Sequence, residues 1–131
     1  MGAMPCRGLR GATTADSNTA DAIYAATREL LERLITANGL NPDDVAAAIF
    51  TASPDLNAAY PATAAHALGW RDVALLCARE IDVPGGVERC VRVLILWNTE
   101  KQARELIHVY LNGAVRLRPD RAQAAGQGHS A

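Results

Sequence analysis

The sequence predicts one α+β domain, and three observations support this class: the chain length, the composition, and a succession of strand-like and helix-like segments. The chain has 131 residues, which fits one domain because domains commonly run to about 100–150 residues. Half of the residues are hydrophobic but only 5% are aromatic, so we expect a core of Ala, Val, Leu and Ile. We place the domain at residues 5–120 and predict a loose tail at 121–131, which is rich in Ala, Gln and Gly.

The first part of the domain is predicted to be a strand followed by a long helix. Residues 6–14 read as the strand, and the polar residues 16–18 offer oxygens that can cap a helix. Apolar side chains then recur at helical spacing from Ile23 to Ile35, and Gly39 is typical of a left-handed helix stop. This helix is the most clearly marked element of the chain.

Proline and glycine mark the boundaries of the remaining elements. Pro42 favours a short helical turn, Pro61 favours the start of a second helix, and Gly69 is expected to end that helix. A Pro-Gly-Gly turn at 84–86 precedes a run rich in Val, Ile and Leu. The predicted elements are, in order, a helical turn at 41–44, a strand at 45–52, a helix at 60–68, strands at 73–78 and 87–97, a brief helix at 99–105, and a strand at 107–111.

Charge and cysteine content exclude several classes of function. With 13 basic and 14 acidic residues the formal net charge is −1, which gives no electrostatic footprint for nucleic acid or an anionic membrane. The three cysteines form no CxxC pair, so neither a disulfide framework nor a zinc site is indicated, and a reducing cytoplasm suits them. No apolar run approaches the about 18–20 residues of a membrane span, and no signal-peptide pattern is present. His66, His108 and His129 lie far apart, so we expect no metal site.

Arg92 is the clearest anomaly in the sequence, because it interrupts an apolar strand. Period-two alternation places it on the same face as Leu94 and Leu96. An unpaired buried charge is costly, so the guanidinium requires either a carboxylate of the protein or a ligand that carries an anion. From this strand alone, a structural salt bridge is the more common explanation.

Four other side chains are candidates whose individual signals are weaker. Arg10 stands beside Gly11, whose small size lets something approach the backbone closely. Tyr110 offers a phenolic donor, although a core tyrosine is more common. Glu80 follows an apolar strand, where most carboxylates simply meet solvent. Cys77 is more often a small buried hydrophobe than a nucleophile.

Taken together, five segments closely resemble the small trimeric chorismate mutases. The order and spacing of the segments agree with that family from residue 7 to residue 120, although each segment alone is a weak signal. The segments are RGLRGATT at 7–14, TASPDL at 51–56, CARE at 77–80, HVYL at 108–111 and LRPD at 117–120.

The resemblance implies an architecture and a set of residue roles. It implies a mixed sheet with helices on one side, and three subunits in a pseudo-α/β barrel with active sites in the clefts between them. Arg10 and Tyr110 would hold the carboxylate of the enolpyruvyl side chain, and Arg92 would contact that carboxylate and the ether oxygen. Glu80 and Cys77 would meet the ring hydroxyl. The remaining implied site residues are Tyr60 and Leu117 in the apolar wall, Arg118 near the mouth, and His66 at the entrance.

Three positions depart from the family pattern. His66 stands where an arginine is common, Leu76 stands where a hydroxyl residue often precedes the cysteine, and Tyr60 stands where Phe is frequent. The change at His66 is expected to weaken capture of the substrate dianion. The residues that would face the breaking bond are all present.

The implied activity is the conversion of chorismate to prephenate in phenylalanine and tyrosine biosynthesis, with no cofactor and no metal. This pericyclic rearrangement needs a folded conformer of the substrate and stabilisation of separating charge, which cationic donors supply. The sequence contains no Walker loop, GxSxG or HExxH motif for another chemistry. One alternative is a non-catalytic trimeric protein of the same fold that binds a dicarboxylate metabolite. A second alternative is a trimeric α+β enzyme that acts on imines or enamines. The presence of two arginines, a glutamate and a tyrosine among the candidate residues argues against this alternative.

Overall fold

The computed structural model describes residues 4–117 and shows a five-stranded sheet with two α-helices. Arg118 and the tail predicted at 121–131 lie outside the described residues. The strands are β1 Cys6–Thr14, β2 Val45–Ala52, β3 Ala74–Arg79, β4 Cys90–Asn98 and β5 Val109–Tyr110. The helices are α1 Ala20–Asn38 and α2 Ala62–Ala67, and 3₁₀ turns lie at Pro42–Asp44, Ala103–Glu105 and Asn112–Leu117.

The sheet is mixed, with β4 at its centre. The strand order is β3-β2-β4-β1-β5. β4 pairs antiparallel with both β1 and β2, whereas β5 lies parallel to β1 and β3 lies parallel to β2. This order makes β3 and β5 the edge strands of the described sheet. The predicted α+β class with a mixed sheet is confirmed.

Helix α1 begins and ends as its sequence pattern indicates, apart from the identity of the cap. Thr19 is the N-cap, and its hydroxyl accepts the Ala22 N–H at 3.2 Å, so the cap follows the predicted polar stretch at 16–18. Gly39 ends the helix with a left-handed φ of 65°. The buried side chains of α1 form one stripe that includes Leu30 and Leu34.

No helix within residues 4–117 is long and apolar enough to cross a membrane.

The two faces of the sheet are covered differently. Val91, Val93 and Ile95 point to one face, where they are buried in the core that α1 covers. Arg92 and Leu94 point to the opposite face. Among the described residues, that face is covered at one end by the 3₁₀ turn that follows β5, and Leu94 remains 36% exposed. The sheet therefore presents one open face, and Arg92 lies on it.

Strand β4 starts later than the predicted residue 87. The carboxylate of Asp55 accepts the Arg89 N–H at 2.9 and 3.1 Å, and Arg89 takes a left-handed φ of 48°. The chain therefore turns just before Cys90 instead of extending. The strand predicted at 73–78 is displaced by one residue and is found at β3.

The helix predicted at 99–105 is reduced to a 3₁₀ turn at Ala103–Glu105. The Thr99 N–H donates to the Pro5 carbonyl at 3.0 Å, which keeps the chain extended beside the start of β1. Helical structure begins only after Gln102, whose backbone N–H donates to the Glu105 carboxylate at 2.6 Å and whose backbone carbonyl accepts the Glu105 N–H at 2.9 Å.

The strand predicted at 107–111 is shorter in the structure, where it contains only the two residues of β5. The buried Asn38 side chain accepts the Ile107 N–H at 2.8 Å and donates to the Ile107 carbonyl at 2.9 Å. These backbone groups are therefore not free to pair with β1.

The 3₁₀ turn after β5 was not predicted, and it brings Leu117 back over the open face of the sheet.

Candidate active site

Arg92 lies in the middle of the sheet on its open face. In the ladders of β4 it is paired with Ala12 of β1 and with Thr51 of β2. Its Nη1 lies 3.6 Å from Oε2 of Glu80, and its side chain keeps 42% of its accessible surface. A charge-assisted hydrogen bond is usually about 2.7–2.9 Å long, so this ion pair leaves the guanidinium donors largely available.

Glu80 is held at the end of β3 by a backbone and a side-chain hydrogen bond. Its N–H donates to the Ala52 carbonyl at 2.9 Å, which continues the pairing of β3 with β2 past Arg79. The Thr51 hydroxyl donates to Oε2 of Glu80 at 2.5 Å. Because the same oxygen also faces Arg92, the carboxylate is fixed between a neutral donor and a cation.

Five of the site residues expected from the sequence line one cavity of about 370 Å³ on the open face. This volume lies in the range of small-molecule pockets, which run to about 300–1,000 Å³. The five are Arg10, Glu80, Arg92, Tyr110 and Leu117. The cavity thus combines two guanidinium groups, one carboxylate and one phenol with an apolar wall, which suits a small ligand that carries carboxylates and a hydroxyl.

Arg10 and Tyr110 are brought together by the parallel pairing of β1 with β5. Tyr110 is paired with Ala12 and is 4% exposed. The backbone N–H of Arg10 donates to Nδ1 of His108 at 2.9 Å, which joins the two strands one step before their ladder begins. Two leucine methyl groups of α1 would lie about 2.8 and 3.0 Å from a Cβ at Gly11. The absence of a side chain at this position therefore lets α1 pack closely against β1.

A second cavity of about 680 Å³ adjoins the first and shares Glu80, Arg92 and Leu117 with it. Its other wall includes Ser53 and Asp55, which sequence analysis did not single out. The Ser53 hydroxyl donates to the Asp55 carboxylate at 2.5 Å and accepts the Cys90 N–H at 2.8 Å. This network fixes the start of β4 beside the site.

The same network lowers the pKa of Asp55. Partial burial acts in the opposite direction, but the Ser53 hydroxyl and the backbone amides of Arg89 and Asp55 donate to the carboxylate, and the Arg89 charge also favours the ionised form. The signal in the sequence was the Ser-Pro-Asp string at 53–55. It reads as a strand-ending turn, and its distant partner at residue 89 is not visible in the pattern.

The three other expected site residues that the structure describes form a separate group. Tyr60, His66 and Cys77 line a cavity of about 440 Å³ between α2 and the β3 edge. Tyr60 is 73% exposed, His66 is exposed, and Cys77 is half-buried. None of them lines the Arg92 cavity. Arg118 lies outside the described residues, directly after Leu117.

The described cysteines are unpaired, and one of them, Cys90, is buried. Burial, together with the charges of Glu80 and Asp55, raises the pKa of Cys90 to about 11, although Arg92 acts in the opposite direction. Cys6 is exposed and Cys77 is half-buried. Within residues 4–117, no cluster of His, Cys, Asp and Glu could hold a metal ion.

Comparisons with known proteins agree in the family they indicate. The family model described as chorismate mutase type I matches residues 6–121. The chain is 51% identical over 115 residues to a Thermus thermophilus protein named chorismate mutase AroH. This match covers 87% of this chain and 94% of the relative. It is 42% identical over 118 residues to the protein of that name from Bacillus subtilis, with 89% and 93% covered. The solved structure of a chorismate mutase from Clostridium thermocellum superposes with a TM-score of 0.80 at 51% identity, covering 82% of this chain and 96% of the other.

Proposed function

The chain belongs to the chorismate mutase type I family and is an isomerase that converts chorismate to prephenate, and from this premise we propose how its residues carry out the reaction. The site is the Arg92 cavity, completed by a neighbouring copy of the chain. The observation that carries this assignment is the convergence of Arg10, Glu80, Arg92 and Tyr110 on one pocket, although they come from four different segments.

The reaction places specific demands on such a pocket. The rearrangement breaks a C–O bond and forms a C–C bond in one step, so it needs no nucleophile, and its barrier falls when the flexible substrate is held in a chair. Arg10 and Tyr110 hold the enolpyruvyl carboxylate, which restricts the substrate to that conformer. Glu80 accepts from the ring hydroxyl and fixes the other end of the substrate. Leu117 contributes apolar wall beside them.

Arg92 acts on the charge that develops during the reaction. As the C–O bond breaks, negative charge accumulates on the ether oxygen, and a guanidinium held beside that oxygen stabilises the transition state more than the substrate. Because the ion pair with Glu80 spans 3.6 Å, the planar fork of Arg92 retains donors for the ether oxygen and the carboxylate together.

The position of Cys77 favours a site shared between subunits. Phe50 is paired with Cys77 on one side and with Val93 on the other, whereas the next residue, Thr51, is paired with Arg92. Paired residues share a sheet face, so Cys77 points to the α1 face and Arg92 points to the open face. Two groups on opposite faces of one sheet do not meet within one chain, but they can meet across an interface. In this arrangement Tyr60, His66 and Cys77 come from the adjacent subunit.

The open face also favours assembly. Ile49 is paired with Leu76 and with Leu94, and these two leucines are 61% and 36% exposed in the isolated chain. An apolar stripe of this kind is stabilised when a second copy covers it. We propose a homotrimer with a pseudo-α/β barrel and three sites in the clefts between subunits.

The enzyme is assigned to the cytoplasm. This assignment rests on its biosynthetic reaction and on three unpaired cysteines, which suit a reducing compartment. Fractionation of cells that produce the protein at its native level tests the assignment.

The activity itself is tested by the loss of the chorismate ultraviolet absorbance on addition of pure protein. We expect loss that is proportional to protein concentration and independent of added metal or cofactor. An unchanged absorbance with folded protein would remove the isomerase and would favour a metabolite-binding protein of the same fold. Light scattering of the same sample tests the oligomer, and a fully active monomer would refute the shared site.

A mixing experiment tests the division of the site between chains. Arg92→Ala removes the catalytic guanidinium, and Tyr60→Glu places a carboxylate against the substrate dianion at an exposed position that tolerates a polar residue. Each variant alone is expected to be nearly inactive. When the two are refolded together, shared sites regain a wild-type Arg92 from one chain and a wild-type Tyr60 from the other, so activity returns. If each site lies within one chain, every site carries one substitution and mixing restores nothing.

A further inference from the structure

Thr51 is a candidate for a role that the family resemblance did not assign to it. It lies on β2, where it is paired with Arg92 of β4 on one side and with Ala78 of β3 on the other. Its side chain therefore shares the open face with Arg92, and it lines the same cavity. Glu80 follows two residues after Ala78, so alternation brings its side chain to this face as well.

The Thr51 hydroxyl contacts the Glu80 carboxylate directly. It donates to Oε2 at 2.5 Å, which lies within the about 2.5–2.7 Å typical of a hydroxyl bonded to an ionised carboxylate. The contact of Arg92 with the same oxygen is longer, at 3.6 Å. The shorter and directional contact is the one from Thr51, so Thr51 sets the rotation of the carboxylate and Arg92 supplies charge.

This geometry divides the two oxygens of Glu80 between different tasks. Oε2 accepts the hydrogen bond from Thr51 and faces Arg92 at 3.6 Å, whereas Oε1 accepts no hydrogen bond from the described residues. A carboxylate without Thr51 could rotate and offer both oxygens to Arg92 in a bidentate pair, the preferred geometry of that ion pair. Such a pair would occupy the arginine donors that the reaction needs.

We infer that Thr51 is a positioning residue, which holds Glu80 so that one oxygen is presented to the substrate hydroxyl and Arg92 is kept from a closed ion pair. This inference rests on the proposed function, because it assigns Glu80 and Arg92 to the substrate. Thr51 lines the cavity, and the role inferred for it is to act through Glu80 instead of through a contact of its own with the reacting atoms.

The test compares Thr51→Val, which removes the hydroxyl at nearly constant shape, with Thr51→Ser, which retains it. We expect Thr51→Val to lower kcat/KM about tenfold, in line with the loss of one hydrogen bond to a charged group, with part of the loss in KM. Thr51→Ser should recover most of the activity. Thr99→Val is a matched control, because Thr99 is a buried threonine at the end of β4 whose hydroxyl accepts from Lys101 outside the cavity.

A double-mutant cycle separates positioning from a structural role. The measured quantity is the Kd of the product prephenate, followed by calorimetry, so weakly active variants can be included. Thr51→Val should weaken prephenate binding in the wild-type background and have no further effect in a Glu80→Gln background. A structural role would instead lower the melting temperature and the active fraction, without changing KM or Kd.

Each outcome decides a different claim. If the wild-type protein does not consume chorismate, the proposed function fails. If it does, but Thr51→Val matches wild-type KM, kcat and prephenate affinity, only the inference on Thr51 is overturned. If Thr51→Val does not fold, Thr51→Ala takes its place in the same cycle, and additive effects with Glu80→Gln overturn the inference.

Discussion

Replacing Arg92 by alanine is the most direct test of the mechanism, because the structural and catalytic roles of this residue predict different magnitudes. Its ion pair with Glu80 is partly exposed, with 42% and 28% of the two side chains accessible. Ion pairs of this kind contribute about 0–1 kcal/mol. A purely structural Arg92 would therefore cost a small amount of stability and leave kcat nearly unchanged in the folded oligomer.

The catalytic role predicts a larger effect on a different quantity. Removal of one donor from a site that stabilises developing negative charge costs about 10²- to 10³-fold in kcat. We therefore expect Arg92→Ala to lower kcat by about 10²-fold or more, equivalent to about 2.7 kcal/mol, and to raise KM far less. Arg92→Lys should recover only part of the loss, since an ammonium on a flexible stem cannot bridge the ether oxygen and the carboxylate as a planar fork does.

The assay is steady-state consumption of chorismate, with light scattering and thermal unfolding on the same samples. Arg28→Ala is the matched control, because it breaks an exposed arginine–glutamate pair of 3.2 Å on α1 and should change neither kcat nor KM. Glu80→Gln removes the same ion pair from the other side. A near-normal kcat for Arg92→Ala in a folded oligomer would show that the residue is only a salt-bridge partner. Glu80→Gln also removes the charged acceptor of the ring hydroxyl, so its loss of activity is compared with that of Arg92→Ala through the split between kcat and KM.

Four further substitutions test other parts of the site and fold. Arg10→Ala should place more of its effect in KM than Arg92→Ala does, because a carboxylate clamp acts on substrate and transition state alike; the same steady-state assay decides this. His66→Arg should lower KM a few-fold by supplying a permanent charge at the entrance, and an unchanged KM would argue against a role in capture. Asp55→Asn should lower the melting temperature at neutral pH. Because folding lowers the pKa of Asp55 below its usual 3.8, that stabilisation is present above this value and is lost as the pH falls further, so the two melting curves should converge in acid. Gly11→Ala should destabilise by about 1–3 kcal/mol in chemical unfolding, since the new Cβ would press on buried leucines of α1 and on the Val109 carbonyl.

The elements that the sequence predicts well are those that local rules determine. β1 and β2 are found at the predicted residues, and α1 follows from its apolar stripe and from Gly39. These signals lie within a few residues of the elements they mark. Repeating side-chain periods and a left-handed glycine need no knowledge of the rest of the chain.

The elements that the sequence predicts poorly depend on distant hydrogen bonds. The start of β4 is set by Asp55, which is 34 residues from its partner Arg89. The start of β5 is set by Asn38, which is 69 residues from Ile107. Each is a polar side chain that takes a backbone group out of strand pairing. A sequence pattern shows that such a side chain exists but not which distant backbone it reaches.

The site shows the same division between what is local and what is not. Arg92 stands out in the sequence because a charge in an apolar strand needs a partner. One of the two expected partners was a carboxylate of the protein, and in the structure Glu80 supplies it. Neither the length of that pair nor the Thr51 hydroxyl behind it follows from the sequence. The resemblance to chorismate mutases brought in Cys77 and Tyr60, which no local pattern would have joined to Arg92.

The two faces of β4 support the proposal that one chain contains only part of this site. The side chains of one face are buried beneath α1, whereas Arg92 and Leu94 on the other face lack a complete cover among residues 4–117. A second layer over this face would bury Leu94, and it would exclude water from around Arg92, which strengthens the attraction between the guanidinium and a bound anion. Cys77 and Tyr60 line a cavity at the β3 edge and not the Arg92 cavity. Under the proposed trimer, a neighbouring subunit that covers the leucines would also deliver these two side chains to Arg92. Assembly and completion of the active site would then be the same event, so substitutions on the apolar stripe such as Leu94→Asp should abolish the oligomer and the activity together.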